Sequence, residues 1–147
     1  MRILFFCCSF LFILMIVSCE PKQKTESQKP QEMIVEKNKQ VFFKWPKDGS
    51  TVASPVFIDM GLEGMIVEPA GKVKSGFGHH HLLINQKFWP EGSVIPTSDT
   101  TLHYGQGQTD TSIELDPGTY ILSLQFADGV HASYGEKMSA TIKINVE

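Results

Sequence analysis

The sequence predicts an all-β domain, an immunoglobulin-like antiparallel β-sandwich of about seven short strands. Three observations predict it. Apolar residues alternate with polar ones in several separate stretches, the signature of half-buried strands. Pro/Gly/Asp turn chemistry divides those stretches, and no window keeps a capped helical period over eleven residues. Short strands joined by turns and long loops fit a two-sheet sandwich.

Taken in chain order, the first stripe is Val41, Phe43 and Trp45, closed by Pro46-Lys47-Asp48-Gly49. Val56, Ile58 and Met60 form the second, followed by the Pro69-Ala70-Gly71 turn. Phe77–Ile84 is a candidate strand whose faces stay ambiguous, because Leu82, Leu83 and Ile84 are all apolar. After Pro90-Glu91-Gly92 come Leu102 with Tyr104, then Ile113 with Leu115. The turn Asp116-Pro117-Gly118 introduces the clearest stripe, Tyr120, Leu122, Leu124 and Phe126, and Ala140, Ile142, Ile144 and Val146 close the chain. These 107 residues, 41–147, are enough to bury roughly two-thirds of their unfolded surface. No repeat of 20 to 50 residues is visible, which argues against a propeller or solenoid.

The first 40 residues read differently. Residues 1–18 are expected to be a signal peptide: Met1-Arg2 is a minimal basic start, and Ile3–Val17 is nearly unbroken apolar sequence, short of the ~20 residues a membrane helix needs. Ile16-Val17-Ser18-Cys19 resembles the lipobox of bacterial lipoproteins, in which the cysteine is acylated and becomes the mature N-terminus. Cys7 and Cys8 fall in the discarded segment, so Cys19 is the one cysteine retained, suited to a lipid and not to a disulfide. Two or three acyl chains, at about 0.8 kcal/mol per buried methylene, make a stable anchor. Residues 19–40, rich in Lys, Gln, Glu, Ser and Pro, read as a flexible tether with a reach of roughly 25 Å. From Cys19 onward 12 lysines face 16 acidic residues, a formal charge of −4, so lipid and not electrostatics is expected to hold the protein on the membrane. The expected location is the cell envelope, on the periplasmic face or the outer surface. Nucleic acid is excluded as a partner, since there is no basic stripe and the only arginine is Arg2.

Five histidines carry the chemical interest: His79, His80, His81, His103 and His131. On a strand, His79 and His81 project from one face and His80 from the other. Imidazoles at i and i+2 form a natural half-site for zinc or copper, which needs further ligands from elsewhere. His103 and His131 are the candidates. His103 has opposite parity to Leu102 and Tyr104, so it faces outward if those two face the core. The metal expectation is therefore His79, His81, His103 and His131 around Cu or Zn. His80, Gln108 and Asp128 are expected as outer partners that fix the rings through their free nitrogens. A hydrogen-bonded histidine network pinning loops to a sheet edge, with His80 simply a buried core residue, is the competing reading. Met60, Met65 and Met138 read as apolar packing.

Other chemistry is not supported. Gly105-Gln106-Gly107-Gln108-Thr109 lacks the Lys-Ser/Thr of a phosphate loop and reads as a turn or bulge. Asp128, His131 and Ser133 offer triad residue types without a strand-to-helix elbow. Asp59, Glu63 and Glu68 lack calcium-loop spacing. No catalytic residue is assigned.

The runs GLEGMIVEPAG, GHHHLLIN, IPTSDTTLHYGQGQT and LDPGTYILSLQFADGVHASYGEKMSATIKINV together resemble the domain-of-unknown-function 4399 family of small exported bacterial proteins. The resemblance covers Trp45 to Val146. It implies a compact sandwich, and the family pattern matches the five histidines, Gly105, Gly107, Gln108, Thr109, Pro117-Gly118, Asp128, Ser133, Tyr134, Gly135 and Ser139. Many relatives carry histidine at Tyr120, so that position is not an essential ligand here, and relatives often carry aspartate at Asn85, which weakens a carboxylate ligand there. The family has no activity to transfer. Function therefore rests on two expectations: an envelope protein whose histidines bind a divalent transition metal, or a metal-free module that binds another envelope protein.

Overall fold

The structure is a computed structural model and describes residues 38–147. The expectations for the signal peptide, for Cys19 and for most of the tether lie outside the described residues. Nine strands follow in order: β1 (Gln40–Trp45), β2 (Thr51–Val52), β3 (Val56–Glu63), β4 (Ile66–Val67), β5 (Phe77–Ile84), β6 (Thr101–His103), β7 (Asp110–Ile113), β8 (Gly118–Ala127) and β9 (Ser139–Val146). One turn of 3₁₀ helix, Glu136–Met138, precedes β9.

The strands form two sheets. One has the order β1-β3-β7, all antiparallel; the other runs β2-β9-β8-β5, and the far edge of β5 is shared by β4 and β6. The alternating stripes explain why the sheets stack. Val41 and Phe43 of β1, Val56, Ile58 and Met60 of β3 and Ile113 of β7 face Leu82, Leu122, Leu124, Phe126, Ile144 and Val146 of the other sheet in one apolar core. Each large side chain so buried contributes about 1.5–3 kcal/mol. Setting aside the two-residue strands β2 and β4, seven strands remain, in the sheet order of an immunoglobulin-type sandwich. Tyr120, at the start of β8, donates its hydroxyl to the carbonyl of Asp116 at 3.0 Å, the same corner that immunoglobulin sandwiches build before their sixth strand.

Two features depart from the pattern read in sequence. The sheets are not wholly antiparallel, because β2 lies parallel to β9 and β4 parallel to β5. Trp45 does not continue the inward stripe of Val41 and Phe43. The register with β3 shifts between Phe43 and Trp45, and the bulge turns the indole outward, 45% exposed.

The outer face of the six-stranded sheet is also covered, and this places the histidines. Gln125 anchors the cover: its Oε1 accepts from the Trp89 amide at 2.9 Å, and its Nε2 donates to the carbonyls of Gly135 and Met138 at 3.0 and 3.1 Å. Leu83, Ile95 and Ala127 form a second small apolar cluster there, with Trp89 against it. A buried amide with all these partners has no unsatisfied polar atom and fixes two loops at once.

Candidate metal centre

Strand parity decides which histidines meet. In β5 the residues His80, Leu82 and Ile84 face the core between the sheets, whereas His79, His81 and Leu83 face the loop-covered side. His79, His80 and His81 are all fully buried. Gly78, just before them, pairs so tightly with β8 that a Cβ there would overlap the carbonyl oxygen of Ala127. Any side chain at 78 would push the histidine strand away from its neighbour.

The other two rings arrive from different directions. The β5–β6 register sets His103 directly opposite His81, so both rings stand on the same face. His131 comes from a turn locked by Asp128. Its amide donates to the Asp128 carbonyl at 3.0 Å, and the Asp128 carboxylate Oδ1 accepts from the amides of Val130 and Ala132, both at 2.9 Å. That turn holds His131 at φ 70°, left-handed backbone that few non-glycine residues adopt. Such strain persists where surrounding structure enforces it.

A short strap ties these segments together. The Glu68 amide donates to the Gly78 carbonyl at 2.8 Å, Ala70 to Gly105 at 2.9 Å, and Gly71 to Gly129 at 2.8 Å. Residues 68–71 thus reach the segment before His79, the turn after His103 and the turn before His131. Gly129 leaves no space for a Cβ against the carbonyls of Lys72 and Gly71. Nothing local in the sequence announces this strap, since its partners are all distant backbone carbonyls.

The four rings enclose one small volume. His79 Nε2 lies 3.1 Å from His131 Nδ1 and also 3.1 Å from His81 Nε2. One ligand atom from each of His79, His81, His103 and His131 falls within 4.8 Å of the others. Five of the six ring-centroid separations lie between 4.6 and 5.1 Å, and the sixth, His81 to His131, is 5.9 Å. This is a tetrahedron with one long edge. Nitrogens bound tetrahedrally to zinc, at about 2.0–2.1 Å from the ion, stand about 3.3 Å apart, so small ring movements bring the donors to bonding positions.

Three of the rings, His79, His81 and His103, are pushed toward the neutral form, the one that coordinates. Burial, then the neighbouring His103 and His131, hold His79 down to about 4, with Asp128 pulling weakly the other way. Burial and then the surrounding imidazoles hold His81 to about 3, and burial and His131 lower His103. Three buried ring nitrogens, His79 Nδ1, His81 Nδ1 and His103 Nε2, have no hydrogen-bond partner among the described residues.

The expected outer partners behave differently from the sequence reading. His80 is on the opposite face of β5 and packs edge-on against Phe126, 5.2 Å between centroids, so it cannot support the cluster. Gln108 turns its Oε1 back to the Gln106 amide at 2.9 Å and caps its own loop. Asp128 orients His131, but through the turn amides and not through the ring. Gly105 has a role beyond turn formation, because a Cβ there would overlap Cε1 and Nε2 of His103. Substituting Gly105→Ala is expected to displace that ring with the circular dichroism unchanged and, if the four rings hold a zinc ion, to weaken its binding by about ten- to hundredfold. Competition titration against a coloured chelator measures it, and wild-type affinity in this variant would show that His103 is not a ligand.

The family model described as Domain of unknown function (DUF4399) matches residues 58–147, from within β3 to the end of the chain, a span that includes all five histidines. No curated protein and no solved structure matches the chain.

Proposed function

Because the chain belongs to the DUF4399 family, whose description names no activity, we propose from the site itself that it binds one divalent transition-metal ion, zinc or copper(II), through His79, His81, His103 and His131. One observation carries this reading. A neutral imidazole nitrogen holds either one proton or one lone pair. His79 Nε2 has two ring nitrogens at 3.1 Å and can make one well-aligned hydrogen bond with them, which leaves the other contact unsatisfied. A cation that takes lone pairs from all the rings removes the conflict.

The donor set also supports the choice of metal. Four imidazoles with no thiolate, thioether or carboxylate suit zinc and copper(II), and disfavour calcium and magnesium, which take oxygen. The same proposal puts the domain on a lipid anchor at Cys19, where metal delivery or sequestration in the cell envelope would be its role. The apolar start of the chain and Ile16-Val17-Ser18-Cys19 support the anchor. Replacing Cys19→Ala is expected to release the protein from the membrane fraction.

The direct test is elemental analysis of purified protein offered zinc or copper at sub-stoichiometric amounts. One ion per chain is expected, with binding lost in a His79→Ala/His81→Ala/His103→Ala variant. Equal binding by that variant, or no stoichiometric ion in the wild type, would refute the metal reading and favour a metal-free interaction module.

A further inference from the structure

Asp128 does more than lock the turn that carries His131. Its Oδ1 accepts from the Val130 and Ala132 amides at 2.9 Å, the two amides on either side of His131. The carboxylate is thereby held against the backbone of one member of the cluster. The His131 ring in turn touches His79, Nδ1 to Nε2 at 3.1 Å. Strand register adds a second tie, since His79 stands opposite Ala127, the residue before Asp128.

Holding the turn does not require a charge. Both amides go to one oxygen, and no hydrogen bond among the described residues uses Oδ2. No lysine neutralises the carboxylate either: the ion pairs among the described residues are Lys44–Asp59 and Lys74–Glu68. Asp128 is only partly exposed, and its charge is felt around it. It works against the burial that lowers His79, and it adds to the burial that raises Tyr134. A partly buried carboxylate without a counter-ion is stabilised by a cation held nearby, and four neutral imidazoles leave the whole charge of a bound ion uncompensated.

We infer that Asp128 is the counter-charge of the metal centre and makes it select divalent ions over monovalent ones. This rests on the metal reading above. The carboxylate need not coordinate; it acts on the ion through space. Coulomb energy is proportional to the charge of the ion, so a divalent ion gains twice what a monovalent one gains.

The full-length protein is titrated with zinc, with copper(II) and, under anaerobic reducing conditions, with copper(I). Wild-type protein that takes up neither divalent ion would overturn the metal reading and this inference with it. Asp128→Asn keeps an oxygen for the two amides and removes the charge; its intact mass is checked, because an Asn-Gly pair can deamidate to the acid. Zinc and copper(II) affinities are expected to fall about tenfold in this variant. Copper(I) affinity should fall only about threefold, as linear scaling with charge requires. Asp128→Glu keeps the charge, so it should preserve the ratio of divalent to monovalent affinity even where a shifted turn weakens both. Three results would overturn the inference and leave the metal reading standing. They are unchanged affinities in Asp128→Asn, equal losses for copper(I) and the divalent ions in that variant, or a ratio in Asp128→Glu that falls by about threefold.

Discussion

Zinc should raise the thermal midpoint of the purified protein by on the order of 15 °C once the free ion exceeds its dissociation constant a thousandfold, and excess chelator should reverse the shift. A ligand that binds only the folded state at that excess contributes about 4 kcal/mol. For a two-state domain of this size, each kcal/mol moves the midpoint by about 4 °C. The effect should be large here because the ligands are brought together only by folding. His79 and His81 come from β5, His103 from β6 and His131 from the turn after β8, so the unfolded chain offers at most a weak His-x-His pair. Magnesium and calcium should give no comparable shift, since the site has no oxygen ligands. The His79→Ala/His81→Ala double variant should remain folded and lose the response. A shift retained in that variant would mean that zinc acts at another place on the surface.

Why could part of this site be read from sequence and part not? Strand parity is local, so His79 and His81 sharing a face, and His103 opposing Leu102 and Tyr104, follow from alternation alone. The six longest apolar stripes were legible for the same reason. What alternation cannot supply is register. That His103 stands opposite His81 depends on which residues of β5 and β6 pair, and those strands are separated by a long loop. The faces of the histidine triplet were unreadable because Leu82, Leu83 and Ile84 are all apolar. The structure explains that run: one face of β5 is buried by the sandwich and the other by the loops around Trp89 and Ile95, so both faces require apolar or neutral side chains. Trp45 misled because a bulge reverses parity without any mark in the residues themselves. Gly105 and the strap at 68–71 were likewise out of reach, since their roles depend on close approach between segments far apart in sequence.

His80 sets up the other large effect, in the absence of metal. It is fully buried in the core, and neither ring nitrogen has a hydrogen-bond partner. Burial, with lesser contributions from His79 and Lys44, lowers it from the ordinary 6.5 to about 4. The sign follows directly. Between pH 6.5 and about 4 the unfolded chain carries a proton on this ring and the folded chain does not, so stability falls as pH drops through that window and is level above it. For His80 alone the loss is about 3 kcal/mol. His80→Leu, of similar volume, removes both the titration and two unpartnered polar atoms. In chelator-treated protein it is expected to be about 1–2 kcal/mol more stable than wild type at pH 7, because a buried polar group without partners costs about that much. The advantage should widen by a further 2–3 kcal/mol or so at pH 4.5. Urea denaturation at several pH values measures both quantities. Zinc affinity should be unaffected, since this ring points away from the cluster. A variant less stable than wild type at pH 7, whose deficit does not shrink in acid, would mean that His80 is satisfied in the folded protein and that the acid sensitivity lies with His79 and His81.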